Sequence, residues 1–272
     1  MSATRLAVWG DPIAHSKSPQ LHAAAYGVLG LDWQYDRRRV TEAAFADTVR
    51  GLDGSWRGLS LTMPLKDEAF RIADVHDTHA ELTGVANTLL LGERISAFNT
   101  DIGGIGDALR EAGLAHPERV RLIGAGATAA SALVAVSDLG AGHVDIRARR
   151  PERAAGLVAL GERLGLATTV DTLDAAADPV DLSIASLPGG TALPDRIARD
   201  LGAAGGALFD VAYSPWPSPL ATTWTGGRAI AGLGMLLHQA VRQIRIFVHG
   251  DPSVPLPGEP AVIEAMRAAL QA

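Results

Sequence analysis

Short apolar runs alternate with segments of helical period from one end of the chain to the other. Runs near 5–10, 33–39, 57–61, 86–91 and 94–98 predict strands, and segments near 19–29, 42–51 and 65–73 predict helices. A helix near 103–112 then connects to a second series. That series reads as strand 119–123, helix 127–139, strand 143–147, helix 151–164, and strands 180–184 and 206–211. A long helix near 232–248 begins around Gly232 and Gly234, and a Pro-rich link over 251–260 leads to a terminal helix. No internal repeat or low-complexity tract interrupts the pattern. Strand–helix alternation of this kind predicts an α/β protein with mostly parallel sheets.

Composition narrows the function classes. The chain has 272 residues, 47% hydrophobic and 20% charged, enough for two domains or one large one with a substantial core. A net charge of −6 argues against a nucleic-acid surface, although arginines cluster at Arg37–Arg39 and at Arg147, Arg149 and Arg150. The absence of cysteine excludes disulfides, zinc–thiolate sites and thiol catalysis. No leader-like start or membrane-length apolar run is visible, so a cytoplasmic protein with no membrane partner is the expectation.

Candidate chemistry begins with the second series. Val120-Arg-Leu-Ile123 runs into Gly124-Ala125-Gly126-Ala127-Thr128-Ala129 and then a helix. In such a turn the first glycine permits the bend and the second lets a pyrophosphate approach the backbone. The small third residue lets helix and strand pack closely. The helix N-terminus adds N–H groups for phosphate oxygens. An NAD-binding unit carries an acidic residue at the end of the next strand. Here that strand ends in Arg147-Ala148-Arg149-Arg150, with Arg153 following, while Asp145 lies mid-strand. Guanidinium forks suit a 2′-phosphate, so these residues predict NADP. A solvated arginine cluster is the plainer alternative.

Other segments carry polar groups in suggestive places. Gly10-Asp-Pro-Ile-Ala-His15-Ser16-Lys-Ser18-Pro19 sets two hydroxyls at i and i+2 before a helix start, where they can donate to a small anion. Taken alone, Ser18 could equally be a helix N-cap and Ser16 a turn residue. Thr62-Met-Pro-Leu-Lys66 delivers a lysine to a helix start, a poor place for an ammonium on dipole grounds. Asn87 precedes a strand, Asp101 ends one, and Gln239 lies within the long C-terminal helix. Each of these also has an ordinary reading: a surface lysine, a turn, a capping carboxylate, a surface glutamine.

Taken together and in order, these segments resemble the shikimate dehydrogenase family. The resemblance spans nearly the whole chain. It rests on the Gly-x-Pro-Ile-x-His-Ser-x-Ser-Pro start, Thr-x-Pro-x-Lys, Ala-Asn-Thr, Asn-Thr-Asp, the glycine turn, Asp210-Val-Ala-Tyr213 and Gly232-Leu-Gly-Met235-Leu…Gln239. It implies a discontinuous α/β substrate-binding domain from residues 1–102 and 239–272, with a Rossmann-type NADP-binding domain over 103–238 inserted in it. By the same resemblance Ser16 and Ser18 would bind a substrate carboxylate, with Tyr213 nearby. Thr62, Asn87, Asp101 and Gln239 would hold ring hydroxyls, and Lys66 with Asp101 would form the catalytic pair. Gly232 and Met235 would lie against the nicotinamide.

The implied reaction is reversible NADPH-dependent reduction of 3-dehydroshikimate to shikimate, by a monomer or homodimer. Alternatives are a quinate/shikimate or aminoshikimate dehydrogenase on the same scaffold, or a non-catalytic sensor of a metabolite or NADP. The chain departs from the family at Ser60, commonly Asn, at Ala148-Arg149-Arg150, commonly Asn-Arg-Thr, and at Ile184–Pro188, a loose match to an Asn-Ala-Thr pattern. His15 reads as a loop residue rather than a base. His76 and His79 could share a helix face without carboxylates around them, so no metal is expected.

Overall fold

The computed structural model describes residues 4–271. The chain divides into two compact units: residues through Thr100 together with those from Leu236 on, and Asp101–Met235.

The first unit carries β1 (Thr4–Gly10), α1 (Ser18–Leu29), β2 (Trp33–Arg39), α2 (Glu42–Arg50), β3 (Trp56–Leu61) and α3 (Lys66–Ile72). It continues through β4 (Val75–His76), α4 (Thr78–Thr83), β5 (Thr88–Leu90) and β6 (Ser96–Phe98). Its sheet has the order β2-β1-β3-β5-β6-β4. β1 is parallel to β2 and β3, whereas β5 is antiparallel to both β3 and β6, so this sheet is mixed. One face packs Leu6, Val8 and Tyr35 against Leu21, Tyr26, Ile244 and Phe247. The other packs Ala7, Trp9, Leu59 and Leu61 against Phe45, Val49 and Leu65. Alternation along β1 sends successive side chains to these two cores, which is why the strand reads as a continuous apolar run.

The second unit carries α5 (Asp101–Glu111), β7 (Arg119–Ile123), α6 (Ala127–Asp138), β8 (His143–Ala148), a 3-10 turn at Pro151–Ala154, α7 (Ala155–Arg163) and β9 (Ala167–Thr172). Then come β10 (Leu182–Ala185), α8 (Asp195–Ala203), β11 (Ala207–Asp210), α9 (Pro219–Thr223) and β12 (Ala229–Ala231). The strand order β12-β11-β10-β7-β8-β9 is parallel throughout. Counted from β7 this is the doubly wound 3-2-1-4-5-6 order, whose direction reverses between β7 and β10. α10 (Leu233–His249) starts in the second unit and runs into the first, where α11 (Glu259–Gln271) follows.

Two expectations need correcting, and several elements were not foreseen, β9 among them. The helix expected over 151–164 is a 3-10 turn followed by α7. β9 was not expected, because its Thr- and Asp-rich edge strand leaves no apolar run to read. His76 lies in β4 and His79 in α4, so they share no helix face; His76 Nε2 is bonded to the Phe70 carbonyl at 2.7 Å. Among the described residues there is no cluster of three metal-ligating side chains, and no helix is long and apolar enough to cross a membrane.

Candidate active site

In the first unit the ends of β1 and β3 and the start of β5 converge through backbone bonds. The Thr62 N–H donates to Trp9 O (3.0 Å), Asp11 N–H to Met63 O (2.9 Å), Leu61 N–H to Asn87 O (2.7 Å) and Ala86 N–H to Lys66 O (3.0 Å). Gly10 makes this approach possible, because a Cβ there would sit 2.4 Å from Thr62 Cγ2. Thr62, Lys66 and Asn87 are thereby gathered at one end of the sheet, beside the β1–α1 loop that carries Ser16 and Ser18.

That loop is held from β2. The Arg37 guanidinium donates to the carbonyls of Ala14 and Ser16, and Arg39 Nε donates to Asp11 Oδ1 at 2.7 Å. Ser18 is the first residue of α1 rather than its cap; Lys17 occupies the cap position, with Pro19 in the first turn. The Ser16 hydroxyl oxygen accepts from the Ser18 N–H at 3.3 Å. Ser18 is buried, and its hydroxyl and that of Ser60 lie against the Tyr35 phenol, whose pKa burial pushes well up.

Asn87 is the best-defined polar group here and only 2% exposed. Its Oδ1 accepts from the Thr100 N–H and the Thr88 hydroxyl, both at 2.9 Å, and its Nδ2 donates to Thr100 Oγ1 at 2.9 Å and Gln239 Oε1 at 3.4 Å. Gln239 Nε2 donates to Leu236 O at 2.9 Å. One turn further along α10, Gln243 reaches Ser60, Thr88 and the Asn87 carbonyl. Gln243 was not among the expected site residues. Its i+4 spacing from Gln239 on one helix was the available signal.

The second unit holds Asp101, Tyr213, Gly232, Met235 and the glycine turn. Asp101 opens α5 and is buried, a placement the helix dipole favours for a carboxylate. Asp210 Oδ1 accepts from the Ala212 N–H (3.0 Å) and Oδ2 from the Ser218 hydroxyl (2.5 Å), which folds the loop bearing Tyr213. Burial holds the Asp210 carboxyl above the usual range, against those two hydrogen bonds. Gly232 donates its N–H to Ala212 O at 3.2 Å, and a Cβ there would lie 2.2 Å from Val211 O, so only glycine fits beside that loop.

At the glycine turn, Gly124 has φ +119°, and a Cβ would lie 2.5 Å from Ser186 Oγ at the end of the neighbouring β10. Gly126 caps α6 with no side chain over the helix end, while Ala129 is fully buried behind it. The Gly124 N–H donates to Arg147 O at 2.8 Å, setting the end of β8 beside the turn. Arg149, Arg150 and Arg153 are exposed just beyond. This is a bare, positively flanked cradle at the point where strand order reverses, and its donors fit a dinucleotide carrying a 2′-phosphate.

Arg147 departs from the expected cofactor set. It is buried, with Nε donating to Asp145 Oδ1 at 2.8 Å and its terminal nitrogens donating to the carbonyls of Thr172, Ala175 and Ala176. Its guanidinium is committed to the strand layer, as strand alternation requires of a residue two places from Asp145.

The doubly wound sheet and its glycine cradle define an α/β protein with a dinucleotide-binding unit. The comparisons are more specific. Residues 8–89 match the family described as "Shikimate dehydrogenase substrate binding domain". The NADP(+) shikimate dehydrogenase of Methylobacterium radiotolerans is 37% identical, over 93% of this chain and 94% of that protein. Among solved structures, Mycobacterium tuberculosis shikimate dehydrogenase is 40% identical with a TM-score of 0.84, covering 98% of this chain and 99% of that one. The Thermus thermophilus shikimate 5-dehydrogenase, solved in complex with NADP(H) and shikimate, is 30% identical with a TM-score of 0.78 over 97% of this chain and 99% of that one. The chain belongs to the NADP-dependent shikimate dehydrogenase family.

Proposed function

We propose that this chain catalyses the reversible NADPH-dependent reduction of 3-dehydroshikimate to shikimate. The observation that carries the reading is the ordered carboxamide of Asn87 among Thr100 and Gln239, in a unit that matches the family's substrate-binding domain. Amide and hydroxyl groups held in this way suit a polyhydroxylated ring, because each offers a directed donor or acceptor.

In this reading the Ser16 and Ser18 hydroxyls donate to the substrate carboxylate, with the Tyr213 hydroxyl assisting. Thr62, Asn87, Asp101 and Gln239 orient the ring hydroxyls. Lys66 holds the oxygen of the reacting carbon and moves its proton, giving it up as the carbonyl is reduced and taking it back in oxidation. Asp101 forms the catalytic pair with Lys66. A positive charge at the developing alkoxide stabilises the transition state more than the ground state.

NADP supplies the hydride acceptor or donor when bound. The turn Gly124–Ala129 would hold its pyrophosphate, Arg149, Arg150 and Arg153 its 2′-phosphate, and Gly232 and Met235 its nicotinamide end. The reading also carries a cytoplasmic location and a monomer or homodimer.

The test is a spectrophotometric panel of shikimate, quinate and aminoshikimate against NADP⁺ and NAD⁺. Shikimate with NADP⁺ is expected to give the highest kcat/KM. A best rate with quinate or aminoshikimate would reassign the substrate, and turnover with no pair would leave a binding protein.

A further inference from the structure

The place of Gln243 follows from a match of periods. Along α10, residues four apart rise about 6 Å, and along β3, residues two apart rise about 6.6 Å. Phe247 packs on Gly58, where a Cβ would sit 2.5 Å from Phe247 Cε1. One step along both elements, the Ser60 hydroxyl donates to Gln243 Oε1 at 2.8 Å. Glycine at 58 therefore brings the helix down until the Gln243 carboxamide enters the polar layer of the sheet. That carboxamide is 1% exposed and Ser60 is 3% exposed.

The hydrogen-bond directions then propagate. With Oε1 taken by Ser60, Gln243 Nε2 donates to the Asn87 carbonyl at 3.2 Å and to Thr88 Oγ1 at 3.0 Å. Thr88 Oγ1, already accepting, turns its own proton to Asn87 Oδ1 at 2.9 Å. The Thr100 N–H donates to the same oxygen. The Asn87 carboxamide is thereby fixed with Nδ2 toward Thr100 Oγ1 and Gln239 Oε1. Behind this chain, His22 lies against Gln243 and stacks on Tyr35 at 3.7 Å between ring centroids, and Tyr35 faces Ser60 and Ser18. The hydrogen-bonded layer runs from Ser60 to Gln239, with the stacked His22 and Tyr35 rings packed behind it.

We infer that Gln243 is a positioning residue: with Ser60, it sets the orientation of the Asn87 carboxamide and through it that of Gln239. The inference rests on the proposed reading of Asn87 and Gln239 as ring-hydroxyl ligands.

The experiment compares wild type, Gln243→Leu, Ser60→Asn and the double variant by initial rates with shikimate and NADP⁺, alongside thermal unfolding. Gln243→Leu is expected to raise the shikimate KM about tenfold, the worth of one hydrogen-bond-sized term, with kcat changed less than about threefold and the NADP⁺ KM unmoved. Ser60→Asn in the Gln243→Leu background is expected to bring the shikimate KM back to within about threefold of wild type, a coupling that a double-mutant cycle reads directly. An unchanged shikimate KM in a folded Gln243→Leu protein overturns the inference. So does a parallel loss of kcat, both KM values and thermal stability with no rescue, since that is a purely structural role. An inactive wild type would overturn the functional reading and this inference together, and is told apart by the first measurement alone.

Discussion

The Asp145 carboxylate binds two guanidiniums at once, accepting from Arg121 Nε and from Arg147 Nε, each at 2.8 Å. Arg121 stands opposite Asp145 in the β7–β8 register, and Arg147 lies two residues along the same strand. All three side chains are buried, and the remaining arginine donors go to carbonyls of Ala204, Asp178, Ala175 and Ala176. The sole acidic side chain of β8 thus has both oxygens engaged by strand arginines.

Removing that carboxylate leaves two buried cations facing each other. Asp145→Asn is expected to destabilise the second unit by about 3–5 kcal/mol, the usual cost of breaking a buried ion pair on one side. Arg147→Ala should also lower stability while leaving the ratio of NADP⁺ to NAD⁺ efficiency unchanged. Urea unfolding followed by circular dichroism, with cofactor kinetics in parallel, checks both. A changed cofactor ratio in Arg147→Ala would return that residue to the cofactor site.

Arg149 is the opposite case, exposed at the end of β8 beside the glycine turn. Arg149→Ala is expected to raise the NADP⁺ KM roughly tenfold to a hundredfold, the range of a charged hydrogen bond, with little effect on NAD⁺. Steady-state kinetics with both cofactors measures it. An intact NADP⁺ preference would move the 2′-phosphate role to Arg150 or Arg153.

The contrast between these arginines shows what the sequence could and could not convey. The glycine turn is local: a strand, a bend and a helix start lie within one short stretch, and φ +119° at Gly124 follows from steric rules. The parallel sheet of the second unit follows equally from alternation. Arg147 was misread because the carbonyls of Thr172, Ala175 and Ala176 that hold its terminal nitrogens, and the Arg121 that shares Asp145 with it, are brought together only by the fold. For Gln243 the i+4 spacing from Gln239 marked a shared helix face, but not its partner Ser60, which is 183 residues away. β9 stayed silent because it is an exposed polar edge. The serine loop was half legible: two hydroxyls at a helix start were predicted, but the arginines of β2 that hold the loop were not.

Ser16 lies on a loop whose backbone is held by Arg37 and Arg39, and Ser18 opens the helix that follows it. Replacing both with alanine is expected to raise the shikimate KM at least tenfold, as loss of hydrogen bonds to a charged group requires, with kcat less affected. Initial-rate kinetics decides it, and an unchanged KM would reduce the pair to a turn and a helix start.

Lys66 opens α3, while its backbone carbonyl accepts from the Ala86 N–H beside Asn87. Lys66→Ala is expected to lower kcat by about 10²–10⁴, the range of general acid–base catalysis, with a much smaller change in the shikimate KM. Stopped-flow measurement of NADPH formation separates the chemical step from binding. A near-normal chemical rate would remove Lys66 from the reaction.

His22 gives the first unit a pH dependence. It is wholly buried, with Nδ1 bonded to the Tyr26 hydroxyl at 2.9 Å, and burial pushes its pKa down to about 3, opposed by its contact with Gln243. In the unfolded chain a histidine takes its proton near pH 6.5. Between that value and about 3 the unfolded state therefore holds one more proton than the folded state. Stability is full above pH 6.5 and falls as pH drops, by at most about 1.4 kcal/mol per pH unit. Half-buried Asp77 and buried Asp210, whose carboxyls desolvation pushes up, act in the opposite sense at lower pH, because the folded state accepts their protons more readily. Urea midpoints at pH 7.5, 6.5 and 5.5 isolate the histidine. His22→Asn should flatten the decline across that window, and an equal slope in the variant would assign the acid sensitivity to another group.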